Sequence, residues 1–207
     1  MSKLFSPITL PCGAQLTNRV AKASMTEGLA DEHDDPTDRL ANLYRIWSLG
    51  GAGLHLTGNV MLDRRFLERP GNVVLDDETT LSALAKWAKA GTSGGNHLWM
   101  QLNHPGRQCQ RTSTSQPLAP SAVGLKLAGM FGTPRALTAR EIEQIFEMYG
   151  KSALRAKQAG FTGVQVHSAH GYLSNQFLSP VTNKRTDEWG GSLENRARFL
   201  LEAVRAT

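Results

Sequence analysis

The feature that most constrains this chain is a change of hydrophobic period that recurs four times. Short stretches alternating apolar with polar residues are each followed by a longer stretch with apolar residues three and four apart. Alternation marks a strand with one buried face, and 3.6-residue spacing marks a helix with one buried stripe. The strand candidates are residues 19–25, 53–60, 97–102 and 163–167. The first helix has Thr37 as its cap, Leu40, Leu43, Tyr44 and Trp47 on one face, and Gly50-Gly51 as its stop. The second is expected after Asp76-Asp77, which can cap it, with Leu81, Leu84, Ala85 and Ala88 on one stripe. The third opens on a capping box, Thr138-Ala-Arg-Glu141, carries Ile142, Ile145, Phe146, Tyr149 and Ala153, and closes at Gly160. The fourth starts near Ser192, with Leu193, Ala197, Leu200, Leu201 and Val204 inward.

Strands alternating with amphipathic helices predict parallel pairing with right-handed crossovers, an α/β fold. Strands buried under helices on both faces would read as continuous apolar runs. These strands alternate instead, Leu98, Met100 and Leu102 facing one way and Trp99 and Gln101 the other. That favours a barrel of the (β/α)8 TIM type. A complete barrel of this kind typically takes about 250 residues, and four units here occupy about 50 residues each. Residues 1–207 therefore read as a single domain truncated to roughly the first four βα units. A small β-hairpin, residues 1–18 around Pro11-Cys12-Gly13, precedes them. The long stretch 103–137, rich in Ser, Thr, Pro and Gly, reads as a functional or disordered loop.

Charge narrows the class of partner. Lys and Arg exceed Asp and Glu by 23 − 18 = 5, spread along the chain with no basic run, so neither nucleic acid nor a membrane surface is expected. Cys12 and Cys109 stand far apart, with no metal spacing, and point to a reduced, cytoplasmic setting. No apolar signal region opens the chain and no apolar run reaches membrane-spanning length.

In parallel strands the C-terminal ends share one rim, where barrels keep their chemistry. That rim receives Ser24, Met25 and Thr26 from the first strand, Gly58 and Asn59 from the second, Gln101 from the third and His167 from the fourth, with His170 and Tyr172 just beyond. His167 and His170 are three apart, but no third ligand accompanies them, so a metal site is not expected. No nucleophile motif is present. Backbone groups of Ala23, Ser24, Met25 and Thr26, with the amides of Asn59 and Gln101, could hydrogen-bond a planar heterocycle. Two imidazoles could hold a carbonyl or nitro oxygen and stabilise developing negative charge. A neighbouring phenol could protonate carbon. Each residue also has a plainer reading, since a strand-end His, Gln or Tyr can serve the core alone. Trp47 and Trp99 are read as core, and Asn195 and Arg196 as hydrogen-bonding near the last helix start.

The run His167-Ser-Ala-His-Gly-Tyr-Leu, then Gln176-Phe-Leu-Ser-Pro, then Asn183-Lys-Arg-Thr-Asp-Glu-Trp-Gly-Gly-Ser-Leu-Glu-Asn-Arg-Ala-Arg-Phe closely resembles the Old Yellow Enzyme family of FMN-dependent NAD(P)H oxidoreductases. Asn18-Arg19, Gly51-Ala-Gly-Leu54, Gln101-Leu-Asn-His-Pro-Gly-Arg107, Ala119-Pro-Ser121 and Ala159-Gly-Phe-Thr-Gly-Val164 extend the likeness in collinear order over essentially the whole chain. The resemblance implies an ene-reductase that takes hydride from NAD(P)H and reduces enones or nitro compounds. It implies flavin contacts for Ala23, Ser24, Met25, Thr26, Asn59 and Gln101, with Thr26 tuning the flavin. His167 and His170 would bind the substrate oxygen, and Tyr172 would donate the proton.

Two positions depart from the pattern. Ser24 stands where the family usually has Pro, and Gly28 where some bacterial members place a substrate-contacting Tyr. The family's phosphate grip belongs to its second half. A half-barrel with two bare edge strands is expected to dimerise, to pair with a partner half, or to aggregate. The isolated 207-residue chain is expected to be inactive, and its alternative role is that of an interaction module.

Overall fold

A computed structural model describes residues 3–127 and 129–207. Strands β1 (Ile8–Thr9) and β2 (Gln15–Leu16) pair antiparallel as the expected N-terminal hairpin. Strand β3 (Ala21–Lys22) is much shorter than residues 19–25. The Lys22 ammonium folds back onto the carbonyls of Ala23 and Leu56 at 2.8 and 2.9 Å, and the chain beyond leaves the ladder. Helix α1 (Asp38–Leu49) starts where Thr37 accepts the Leu40 N–H, and it buries Leu40, Ala41, Tyr44 and Ser48.

Strand β4 (Leu54–Met61) pairs with β3, and at its far end with the two-residue β5 (Val73–Val74). Helix α2 (Leu81–Gly91) corrects the expected cap. Its N-cap is Thr80, not Asp76 or Asp77. The Asp76 carboxylate accepts from Nε and Nη2 of Arg64 at 2.7 and 2.8 Å, and Asp77 pairs with Lys151. The buried stripe is also shifted. Leu84, Trp87, Ala88 and Gly91 face the core, while Leu81 is 41% exposed.

Strand β6 (His97–Asn103) is followed by the long connection. It contains a short 3-10 turn, Gly106–Gln108, and a parallel pair, β7 (Leu118–Ala119) with β8 (Arg135–Ala136). Helix α3 (Ala139–Ala159) carries the predicted capping box and ends on Gly160, whose φ of 95° is left-handed and suits glycine. Strand β9 (Gly163–Val166) is followed by a short helix not anticipated from sequence, α4 (Leu173–Leu178), and by α5 (Leu193–Ala206).

The main sheet has the order β3-β4-β6-β9, all parallel. Successive large helices touch in series, α1 with α2, α2 with α3 and α3 with α5, so they form one layer on one face of the sheet. That is how consecutive βα units wrap a barrel, and it excludes a doubly wound sheet. Between the layers lies the core, in which Leu98, Met100 and Leu102 are fully buried and Trp87 meets Tyr44 and Phe161 edge-to-face. Trp99, read as core, is only half-buried on the opposite face.

Helix α5 corrects the expected stripe. Phe199 and Ala203 are buried, and Leu193, Leu201 and Val204 are 59%, 52% and 54% exposed. Phe199 wins because it stacks on Phe177 of α4 at 4.2 Å and 7° and also meets Phe146 of α3. Arg196 donates to the Leu178 carbonyl at 2.9 Å and holds α5 against α4. Among the described residues β3 and β9 are edges, each with a ladder on one side only. No described helix is long and apolar enough to cross a membrane.

Candidate active site

Register brings the site together. Asn59 pairs with Gln101, and Gln101 with Gln165, so three side-chain amides stand in a row across β4, β6 and β9. Gln101 Nε2 donates to Gln165 Oε1 at 2.7 Å. Gln165 shares a strand face with His167, but its part in fixing Gln101 depends on pairing and is invisible along the chain.

His167 lies just past β9, where its N–H still donates to the Leu102 carbonyl at 2.9 Å. Its Nδ1 accepts from the Ala169 N–H at 3.2 Å, which leaves the neutral ring's proton on Nε2. Burial, and secondarily the neighbouring His170, lower its pKa to about 4. At neutral pH it is therefore an uncharged hydrogen-bond donor.

The turn beyond is held by side chains from outside it. His170 adopts a left-handed backbone, φ 58°, and its carbonyl accepts from Gln108 Nε2 at 2.8 Å. Gly171 donates to Asn175 Oδ1 at 2.9 Å. The buried Gln176 Nε2 donates to the carbonyls of Gly171 and Pro105 at 2.6 and 3.2 Å. These contacts fix three rings. His170 and Tyr172 both stand edge-on to His167, with centroids 5.2 and 5.0 Å away. The residues doing this work, Gln108, Asn175 and Gln176, carry no sequence signal of their own beyond their place in the motif.

Asn59 Nδ2 donates to the Tyr172 hydroxyl at 3.3 Å. Burial, and then the Glu68 carboxylate, raise the phenol's pKa, while Asn59 and Arg69 pull it down. The net shift is upward, so Tyr172 is a protonated acid at neutral pH.

A cavity of about 110 Å³ is lined by Ser24, Met25, Thr26, Asn59, Gln101, His167, His170 and Tyr172. Eight of the nine residues expected at the site thus converge. The ninth, Ala23, does not line the cavity; its carbonyl accepts from Lys22 and the residue is exposed. Among the described residues the lining has no carboxylate, ammonium or guanidinium. Ser24 Oγ is buried without a partner, and Met25 is 52% exposed beside it. Amides in a row, an unpaired hydroxyl and an available thioether fit the edge and face of an uncharged, hydrogen-bonding heterocycle such as a flavin ring. Among the described residues no three His, Cys, Asp or Glu side chains gather in a metal-binding group.

A sequence profile described as the NADH:flavin oxidoreductase / NADH oxidase family matches residues 3–207. The NADH-dependent flavin oxidoreductase iliE of Hypocrea jecorina is 39% identical over 97% of this chain and 55% of its own length. The NADH oxidase of Thermoanaerobacter brockii is 40% identical over 92% of the chain and 29% of its own length. Among solved structures, the Old Yellow Enzyme homologue from Zymomonas mobilis superposes with a TM-score of 0.90 at 32% identity, covering 99% of this chain and 59% of that one. Morphinone reductase in complex with tetrahydroNAD superposes at 0.89 and 32%, covering 100% and 60%. The chain spans from under a third to about 60% of the length of these relatives.

Proposed function

The chain belongs to the NADH:flavin oxidoreductase / NADH oxidase family, and on that premise we propose that it carries the substrate-facing part of an FMN-dependent reductase. The proposed substrates are α,β-unsaturated carbonyl or nitro compounds, with NAD(P)H as reductant. One observation carries this reading. A hydrogen-bond donor on His167, the His170 ring and a protonated Tyr172 face one small cavity whose other lining residues are Ser24, Met25, Thr26, Asn59 and Gln101.

Thr26, Asn59, Gln101 and the Ser24 hydroxyl would hold the flavin ring, with Met25 on its face. Bound there, FMN would supply the redox chemistry, hydride transfer from NAD(P)H to the substrate's β-carbon. The chain's residues do the rest. His167 Nε2–H and His170 hold the substrate's carbonyl or nitro oxygen, and their bonds strengthen as enolate-like charge develops there. Tyr172 gives its proton to the α-carbon. The Asn59 amide N–H then stabilises the phenolate oxygen until solvent returns a proton. Titrating the purified chain with FMN, then adding NADH and 2-cyclohexenone, tests the reading. A protein that never acquires a flavin spectrum overturns it.

Among the described residues β9 has a ladder on one side only, and that favours a second reading. Beside this strand, Leu154, Phe161, Val164 and Thr207 border a groove of about 530 Å³. An unpaired strand next to apolar surface is a template for association. In this reading the chain is an interaction module that pairs with a second copy or a partner half-barrel. Sedimentation velocity decides it, because a monodisperse monomer at all concentrations rules it out.

A further inference from the structure

Strand β4 carries one residue too many. Leu56 pairs with Trp99, but Asn59 pairs with Gln101, so three residues of β4 oppose two of β6. In an unbroken ladder Gly58 would stand opposite Gln101. Asn59 would then point with Thr57 into the helix-side core, because a one-residue slip turns every later side chain over. The bulge is what delivers Asn59 to the flavin-facing side.

An extra residue leaves backbone groups without ladder partners, and here side chains take them. The Gln101 N–H donates to Thr57 Oγ1 at 2.9 Å, and Thr57 Oγ1 donates to the Gly58 carbonyl at 2.9 Å. On the other edge, the Gly58 N–H donates to the Tyr44 hydroxyl at 3.2 Å and to Glu27 Oε1 at 3.3 Å. Tyr44 in turn donates its own O–H to Glu27 Oε1. Glu27 follows directly on the Met25-Thr26 wall of the cavity. A Cβ on Gly58 would collide with the Met25 carbonyl oxygen and with the Glu27 carboxylate, so the wall and the bulge are in direct contact.

We infer that Glu27 is a positioning residue for this site. Its carboxylate, with the Tyr44 hydroxyl, clamps the Gly58 bulge to the Met25-Thr26 wall and thereby aims Asn59 at Tyr172 and the flavin ring. The flavin part of this inference rests on the function proposed above; the aiming of Asn59 does not. Glu27 sits behind the wall, on the α1 side, and does not line the cavity. Its burial raises the carboxyl's pKa, with the Tyr44, Gly58 and Lys22 contacts acting against that rise. Lys22 is the nearby cation, held on the Ala23 and Leu56 carbonyls and over the Trp47 ring.

The test uses the 207-residue chain, ¹⁵N-labelled, with and without FMN. Without FMN, the wild type shows a nuclear Overhauser contact between the Asn59 side-chain amide and the Tyr172 ring. Glu27→Gln keeps an acceptor for Gly58 and keeps the contact; Glu27→Ala loses it while the far-UV spectrum is unchanged. With FMN, Glu27→Ala and Asn59→Ala each weaken binding by roughly tenfold, and the double variant is no weaker than either, because both remove one interaction. If Glu27→Ala does not fold, Tyr44→Phe is the substitute. It removes one of the two Gly58 acceptors, and the Gly58 amide then exchanges faster than in wild type. Persistence of the Asn59–Tyr172 contact in Glu27→Ala, unaltered Gly58 exchange in Tyr44→Phe, or additive losses in the double variant would each overturn the inference. Failure of the wild type to bind FMN would sink the proposed function and leave the contact measurement to decide the role of Glu27.

Discussion

Asn59 and Tyr172, 113 positions apart in sequence, meet through a hydrogen bond from Asn59 Nδ2 to the phenol oxygen at 3.3 Å. One comes from the second large strand, the other from the turn after the fourth. Their contact requires the β4–β6–β9 register, the extra residue at Gly58 and the left-handed turn at His170 to be correct together. It also sets the chemistry, since the amide N–H favours the phenolate that burial disfavours.

Tyr172→Phe is predicted to leave flavin binding and reduction by NADH intact while slowing enone reduction by about 10²–10⁴-fold, the usual contribution of a positioned acid. Stopped-flow measurement of the two half-reactions checks it. Equal slowing of both halves would mean that Tyr172 serves the structure and not the proton transfer.

Gln165→Leu is predicted to weaken FMN binding by roughly tenfold, the equivalent of one lost hydrogen bond. Gln165 Oε1 is the acceptor that orients the Gln101 amide, and leucine leaves that amide free to rotate. Flavin fluorescence quenching gives the dissociation constant. An unchanged value would remove Gln165 from the site.

Native stability is predicted to fall as pH drops from about 6.5 to about 4, in part through two histidines. Burial lowers both His104 and His167 to about 4. The unfolded chain, with histidine near about 6.5, binds more protons in that window, so unfolding free energy rises with pH there. His104 is the cleaner probe. It lies outside the cavity lining, its Nδ1 accepts from the Gly106 N–H at 3.0 Å, and its Nε2 is buried without a partner. His104→Asn keeps an acceptor for Gly106 and removes the titration. Urea midpoints measured across this range should show a shallower slope for the variant; identical slopes would contradict the assignment.

Phe199→Ala is predicted to cost about 3–5 kcal/mol, the range for a large buried aromatic, whereas Leu201→Ala should stay within about 0.5 kcal/mol. Phe199 stacks on Phe177 in the core and Leu201 is half-exposed two residues away. Chemical denaturation of both variants checks which face of α5 is inward. A larger loss at Leu201 would restore the stripe expected from sequence.

Much of the candidate site's composition was legible along the chain. His167, His170 and Tyr172 fall within six residues at a strand end, and Asn59 and Gln101 follow from assigning their strands and assuming parallel pairing. The bulge was not legible, because Gly58 reads equally well as an ordinary strand residue until its ladder partners are known. Gln165, Gln176 and Glu27 were passed over for a related reason. Each acts through a contact made at a distance in sequence, and nothing in its immediate neighbours marks it. The caps divide in the same way. The Thr138–Glu141 box is local and was read correctly, whereas Asp76 was claimed by Arg64, twelve residues back.

What the sequence alone determined is the order and type of the four main strand–helix units, their parallel arrangement, and the strand-end residues that face one rim. These follow from hydrophobic period and local capping, which act over a few residues. Only the tertiary structure decided which side of α5 is buried, which residue caps α2, and how Asn59 comes to face Tyr172. Those outcomes depend on competition among partners brought together by folding. Stacking of Phe199 on Phe177 prevails over a leucine stripe, and one surplus residue at Gly58, held by Thr57, Tyr44 and Glu27, reverses the facing of everything after it in the strand.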